Sequence, residues 1–155
     1  MPRNKRKRFR HYRVTLLDVL QAHDEALKFG GLPGVTSLAL VESAIARPYC
    51  GYYRTISRKA AALTQSLAKN HGFLDGNKRT ALLAITLLVT RSGYELVAVK
   101  HDIVKETENM ILDVVNDRMS LDGVEAWFYA HIKKPSWVRF WLRPKSTLLR
   151  RNRTR

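Results

Sequence analysis

The segment His71-Gly-Phe-Leu-Asp-Gly-Asn-Lys-Arg-Thr80 decides how this chain is organised, because it separates two stretches with helical patterns. The stretch before it is rich in alanine, and Asn77–Arg91 is apolar almost all round. A helix that is apolar on every side is buried in the protein interior. We therefore expect Asn77–Arg91 to be a central buried helix, with residues 71–76 as a loop that leads into it.

Cap residues and helix breakers on both sides of this segment predict the other helices. Thr15 followed by Asp18 is typical of a helix start, and Gly30-Gly31 of a helix end. The remaining predicted elements are a helix from 36 or 37 to 47 stopped by Pro48, a helix from Ser57 to 69 or 70, a short strand or extended link at 94–99, a helix from Asp102 to about 116, and a helix from Ser120 to about 131. The sequence thus predicts an all-α domain over residues 14–132.

The net charge of +15 is concentrated at the two ends of the chain. Residues 1–13 contain seven Lys or Arg, residues 133–155 contain nine, and neither stretch contains an acid. Residues 14–132 hold the other 12 basic residues and all 13 acidic ones, which leaves a net charge of −1. A near-neutral domain therefore carries two basic tails, and its function has to come from its own residues.

The two tails differ in composition. Residues 1–13 lack apolar periodicity, so we expect them to be disordered and solvated. The second tail contains Trp137, Phe140 and Trp141 among its basic residues. Such a mixture suits stacking on RNA, including that of the ribosome, or contact with an anionic membrane. Equally open is a flexible tail whose aromatic side chains fold back on the domain.

Length and composition exclude several classes of protein. A chain of 155 residues with 45% hydrophobic residues is long enough for one compact domain. Its longest apolar run is too short to span a membrane, and the basic N-terminus has no apolar signal core behind it. Cys50 is the only cysteine, so no internal disulfide forms. These features fit a cytoplasmic protein.

The residues of the central segment are those that phosphoryl or nucleotidyl transfer requires. His71 can accept a hydroxyl proton near neutral pH, and Asp75 offers a hard oxygen ligand for Mg²⁺. A helix that starts with Asn77, Lys78 and Arg79 presents free N–H groups and two positive charges to an anion. From these residues alone, a polar loop before a basic helix start is an equally good interpretation.

The segment resembles the signature of the Fic/Doc family. The Fic form reads His-Pro-Phe-x-[Asp/Glu]-Gly-Asn-Gly-Arg, in which six positions match this chain: His71, Phe73, Asp75, Gly76, Asn77 and Arg79. Gly72 replaces the proline, and Lys78 replaces a glycine, as in the Doc (death-on-curing) form. The resemblance extends to His23-Asp24, to residues 30–34 and to Ala81-Leu82, and so covers roughly 14–132.

The resemblance implies an ATP-dependent transferase. In Fic proteins the histidine deprotonates a target hydroxyl, the acidic residue holds Mg²⁺, and AMP is transferred. Doc-type toxins bind ATP in the opposite sense and transfer the γ-phosphate, in the known cases to translation elongation factor Tu. Carried onto this chain, His71 is the catalytic base, Asp75 the metal ligand, Phe73 a packing anchor, and the phosphate binders are Gly76, Asn77, Lys78 and Arg79.

Other motifs in the chain give no competing chemistry. Ser66-x-x-Lys69 lacks the companion motifs of an acyl-enzyme site, no P-loop is present, and the other histidines lack metal-ligand spacing. His23 is interpreted as a hydrogen-bonded helix residue. The [Ser/Thr]-x-x-x-Glu motif by which many Fic proteins inhibit themselves is also missing. Any restraint would then come from a separate antitoxin protein.

The sequence therefore predicts a toxin-like, kinase-like phosphotransferase with an all-α Fic/Doc fold. Its substrates would be ATP with Mg²⁺ and a Ser or Thr hydroxyl of a protein, such as a translation factor. One alternative is an AMP transferase of the Fic type. The other is a nucleic-acid-binding protein in which the Fic/Doc domain is an inactive scaffold and the tails bind the nucleic acid.

Overall fold

The computed structural model describes residues 11–135, and within them the fold is all-α, as predicted. A two-stranded antiparallel sheet, in which Leu96 pairs with Ile132, is the only sheet in this range. The elements in chain order are α1 (Leu16–Leu27), α2 (Leu38–Ala46), a 3₁₀ turn (Arg47–Tyr49), α3 (Ile56–Lys69), α4 (Asn77–Arg91), β1 (Glu95–Leu96), α5 (Ile103–Val115), α6 (Leu121–His131) and β2 (Ile132–Lys133).

The core forms around α3 and α4, which run antiparallel on either side of the central loop. Alanines at 60, 61 and 62 of α3 are fully buried, and such small side chains let neighbouring helices approach closely. Helix α4 packs against α1, α3 and α5, while α6 covers the other side of α3. None of the helices within residues 11–135 is long and apolar enough to cross a membrane.

Most helix starts follow the predicted caps. Thr15 and Asp18 form a complete capping box on α1, and Ser37 caps α2. The prediction that Ser57 caps α3 is wrong. Thr55 caps this helix by accepting a hydrogen bond from Arg58 N at 3.0 Å, and Ser57 is buried in the first turn. Both hydroxyls are good caps in sequence terms, so packing of the first turn decides between them.

Residues just outside the predicted range 14–132 make defined contacts at both of its ends. Tyr12 donates its backbone N–H to Ser92 Oγ at 2.9 Å and its hydroxyl to Asp18 at 2.8 Å. At the other end Lys133 belongs to β2 and pairs with Glu95. The rest of the predicted tails, with Trp137, Phe140 and Trp141, lies outside the described residues.

One carboxylate ties the link between β1 and α5 to the end of α6. Glu106 accepts backbone N–H bonds from Lys100 and His101, both at 2.9 Å, and from Val99 at 3.1 Å. It also lies 2.8 Å from His131 Nε2. The N–H groups of His101 and Lys100 contribute most to lowering the pKa of Glu106 from 4.5 to about 2.

Replacing Glu106 with Gln should lower the melting temperature at neutral pH by several degrees, because the charged acceptor of these bonds is lost. The depressed pKa means that the ionised group stabilises the fold above pH 4.5, and that this contribution is lost as the pH falls towards about 2. Thermal unfolding followed by circular dichroism should show the gap to wild type closing over that range. Glu108→Gln, on an exposed position of the same helix, should show no such gap, and an E106Q gap that is independent of pH would contradict this account.

Candidate functional site

The six site residues predicted from the sequence lie together at one end of the α3–α4 pair. They border a cleft of about 260 Å³. The lining residues are Ala68, His71, Leu74, Asp75, Gly76, Asn77, Lys78, Arg79 and Val115.

His71 takes its position from the way α3 ends. Asn70 closes α3 in a right-handed conformation, and His71 then adopts φ 50°, in the left-handed region. Glycine usually occupies this position, because a side chain there costs about 1 kcal/mol. The imidazole is exposed to the cleft and receives no hydrogen bond from any residue in 11–135. A strained residue with a free proton acceptor is typical of a functional site.

Asp75 is held as a carboxylate at the start of α4. One oxygen accepts the N–H of Gly76 and the other accepts the N–H of Leu32, at 3.3 Å. The Gly76 bond contributes most to lowering the pKa of Asp75 below its ordinary value, followed by Leu32, with Arg79 and Lys78 adding to the effect. Asp75 is therefore ionised at neutral pH and exposed.

The first turn of α4 leaves its N–H groups available to an anion. Gly76 is the N-cap at φ 74°, and it provides no side chain to cap the helix. The N–H groups of residues 77–79 thus lie at the positive end of the helix dipole, beside the exposed ammonium of Lys78. Arg79 adds a half-buried guanidinium, anchored by a 2.9 Å bond from Nη1 to the Ala26 carbonyl at the end of α1. Positive charge at a helix start is unfavourable unless an anion binds there.

Asn77, predicted as a phosphate binder, also holds the backbone of the loop. Its Nδ2 donates to the Phe73 carbonyl at 2.8 Å, and its Oδ1 accepts the Phe73 N–H at 3.1 Å. The amide is therefore occupied in holding the loop. The backbone N–H of Asn77 and the second N–H of its Nδ2 group remain available to a phosphate.

The connection between α1 and α2 pairs with the central loop, which the sequence interpretation did not anticipate. Leu74 N donates to the Gly34 carbonyl at 2.9 Å, and Val35 forms an antiparallel bridge with Phe73. Gly31 packs so closely that a Cβ there would lie 2.8 Å from Asp75 Oδ2. The only sequence signal was the glycine-rich run at 30–34, which indicated a turn but no partner.

His23 supports the loop from inside the core. Its ring stacks on Phe73 with 3.9 Å between centroids, and Nδ1 lies 3.2 Å from the Thr80 hydroxyl. That hydroxyl donates to the Gly76 carbonyl at 3.0 Å, so its oxygen accepts a hydrogen bond from the N–H of His23 Nδ1. Burial lowers the pKa of His23, which fits a neutral ring. Phe73 is the buried packing anchor that the motif predicted.

A second pocket, of about 190 Å³, adjoins the cleft between α4 and α5. It shares Lys78 and Arg79 with the cleft but not His71. The rest of its lining is mostly apolar: Leu82, Glu108, Ile111 and Leu112. Sequence patterns did not reveal it, because its walls come from two helices that are distant in the chain.

The cleft does not contain a complete protein-made metal site. Within residues 11–135, no group of three His, Cys, Asp or Glu side chains is placed to hold a metal ion. Asp75 is a single ionised carboxylate, which suits Mg²⁺ because this ion usually binds one or two carboxylates together with substrate phosphates.

Comparison with known proteins gives two matches. The model of the Fic/DOC family matches residues 13–89, a range that includes the whole cleft segment. The chain is similar to Toxin Doc of Mycolicibacterium smegmatis, with 38% identity over 114 residues, covering 70% of this chain and 85% of that protein.

The close packing of Gly31 on the carboxylate can be tested with its neighbour as a control. Gly31→Ala would place a methyl group 2.8 Å from Asp75 Oδ2 and 3.2 Å from Arg79 Nη2, so both must move. The Leu32 N–H bond should break, and the pKa of Asp75, measured by ¹³C NMR, should rise towards its ordinary value.

Gly30→Ala is the matched control, because Gly30 also has a positive φ but no atom lies within 4 Å of an added Cβ. It introduces similar backbone strain and should leave the pKa of Asp75 unchanged. Equal shifts in both variants would show that backbone strain, and not contact with Asp75, is responsible.

Proposed function

The chain belongs to the Fic/DOC family, and from this premise we propose that it is a Doc-type toxin that transfers the γ-phosphoryl group of ATP to a protein hydroxyl. The acceptor would be a Ser or Thr side chain, with His71 as the base. The proposal places catalysis in the domain predicted as 14–132. It also places the enzyme in the cytoplasm, where translation factors are found.

The relation between the two pockets is the observation that carries this proposal. The mostly apolar pocket at Leu82, Ile111 and Leu112 suits an adenine ring, and Glu108 at its edge can accept a bond from a ribose hydroxyl. The cationic groups of Lys78 and Arg79 separate it from His71. A nucleotide with its base in this pocket would extend its phosphates past the two cations. Its terminal phosphate would then be the one nearest the imidazole, which supports γ-phosphoryl transfer.

The chemistry is an in-line displacement at the γ-phosphorus. His71 takes the proton of the target hydroxyl, and the hydroxyl oxygen forms a bond to the γ-phosphorus. The bond between that phosphorus and the β–γ bridging oxygen breaks, and its electron pair leaves with ADP. The helix-start N–H groups, Lys78 and Arg79 stabilise the charge on the transferring and leaving groups. His71 then returns its proton to solvent.

Asp75 would hold Mg²⁺ when the ion arrives with ATP. The bound ion would neutralise part of the negative charge on the phosphates. The ionised state of Asp75, fixed by the N–H groups of Gly76 and Leu32, keeps it competent for this role at neutral pH.

The surface beside the cleft suits protein partners. Three apolar residues lie on or next to the two paired loops, which are the connection between α1 and α2 and the central loop. Their exposed fractions are 82% for Phe29, 64% for Leu32 and 62% for Leu74. Exposed apolar side chains in such a group mark interaction sites. We propose that the target, plausibly a translation factor such as elongation factor Tu, binds here. A separate antitoxin would restrain the enzyme, since the chain lacks the self-inhibitory glutamate motif.

His71→Ala should reduce transfer by about 100-fold or more, since a general base typically contributes at least this factor. It should also relieve the growth arrest that expression of the wild-type chain causes. His71→Gly should have the same effect on activity while raising the free energy of unfolding by up to about 1 kcal/mol, because glycine accepts φ 50° without strain. His101→Ala, at an exposed histidine outside both pockets, is the control for both measurements. Full activity in a folded His71→Ala protein would exclude the proposed base.

Lys78 separates the two chemistries of the family, because AMP-transferring relatives have glycine there. Incubation with ATP labelled at either the α- or the γ-phosphate should place only γ-label on the target, with a mass gain of one phosphate. Lys78→Gly should reduce phosphotransfer and permit weak AMP transfer, since it frees the space of the side chain. Lys78→Met keeps most of the volume and removes the charge, so it should reduce phosphotransfer without AMP transfer. Transfer of α-label and not γ-label by the wild-type enzyme would assign it to AMP transfer.

A further inference from the structure

A third cavity, of about 680 Å³, lies at the end of α3 that is remote from the His71 cleft. Helix α3 has 14 residues, so the two sites are separated by about 20 Å along its axis. Nothing in the proposed transferase mechanism uses this cavity. Its lining residues are His11, Thr55, Ile56, Ser57, Tyr94, Glu125, Tyr129, Ile132, Lys133 and Lys134.

The charge of this cavity is positive. Lys133 and Lys134 line it and form no ion pair with any acid in residues 11–135. Burial lowers the pKa of His11, and the nearby positive charge of Lys59 lowers it further. The acid in the lining, Glu125, pairs with Arg58 at 2.6 Å, and the same guanidinium also pairs with Asp122. Glu95 pairs with Lys133 through the sheet backbone and is exposed. The cavity therefore offers uncompensated cations to an anion.

Hydroxyl groups complete the lining. Ser57 is only 6% exposed and borders the cavity. Tyr94 and Tyr129 add further hydroxyls, and Tyr129 is 79% exposed. Such groups suit ribose and phosphate oxygens, and an exposed ring suits stacking on a base.

Both basic tails join the domain at this cavity. His11, which lines it, is part of the first tail, and Lys134, which also lines it, is part of the second. Residues 1–13 and 133–155 together carry sixteen positive charges without a single acid. The opposite end carries the cleft of His71.

We propose that this end of the domain binds single-stranded RNA, with Lys133 and Lys134 on phosphates and Tyr129 stacked on a base. A concave, hydroxyl-lined cavity of this size admits one nucleotide of a flexible strand, whereas a flat bilayer surface cannot enter it. The RNA site leaves the His71 cleft open, so the inference does not depend on the proposed transferase activity.

Fluorescence anisotropy of the full chain with a labelled oligouridine, measured at several salt concentrations, tests the proposal. In Lys133→Gln/Lys134→Gln the slope of log K against log salt should fall by about 1.4, as expected for two phosphate contacts on a single strand. Lys100→Gln/Lys105→Gln makes the same charge change outside all three cavities and should leave the slope unchanged. Tyr129→Ala should weaken binding by about fivefold or more without changing the slope, and Tyr52→Ala, at a tyrosine 86% exposed elsewhere, should not weaken it.

Three results would overturn the proposal. If both double lysine variants lowered the salt slope equally, the binding would be explained by general attraction through net charge. Displacement of the RNA by saturating ATP with Mg²⁺ would place it in the His71 cleft. Stronger binding to phosphatidylserine vesicles than to the oligouridine, with the same dependence on Lys133 and Lys134, would assign this end of the domain to a membrane surface.

Discussion

The side chain of Asn77 holds both backbone groups of Phe73, and the geometry of the cleft depends on this pair of hydrogen bonds. Phe73 is buried and cannot move without opening the core. His71 and Asp75 each stand two residues from it, so the fixed Phe73 backbone sets the position of both. The other face of the same loop is occupied by Gly34 and Val35. A loop that is held on both faces keeps the proposed catalytic groups in place before any ligand binds, which would reduce the entropy cost of reaction.

Electrostatics in the cleft favour a polyanion over the empty state. The uncapped start of α4 with Lys78 and Arg79 makes an excess of positive potential, and Asp75 offsets only part of it. A triphosphate with its metal ion matches both signs, because the phosphates meet the cations and the ion meets the carboxylate. The left-handed backbone of His71 also lowers the stability of the fold, and it does so at the position where the proposed base must face the substrate.

The sequence predicted the parts of the fold and site that depend on local chemistry. Thr15 with Asp18, Ser37 and the apolar pattern of Asn77–Arg91 each act within a few residues, and the structure bears them out. The choice of Thr55 over Ser57 could not be predicted, because it depends on which hydroxyl the neighbouring helices bury. Pairing of the 30–37 connection with the central loop, and the pocket between α4 and α5, are contacts between distant segments. Periodicity carries no information about such contacts.

Because α3 and α4 run antiparallel, one of these two helices begins at each end of the pair. The two helix starts differ in their N-cap residues. At the cleft, Gly76 leaves the first turn of α4 uncapped, so its N–H groups can converge on a single compact anion. At the other end, Thr55 caps α3, and positive charge comes instead from separate side chains such as Lys133 and Lys134. Spread charges fit a long polyanion better than a small one, because each can meet a different phosphate. One rigid helix pair can therefore present a nucleotide site and a strand-binding surface without competition between them.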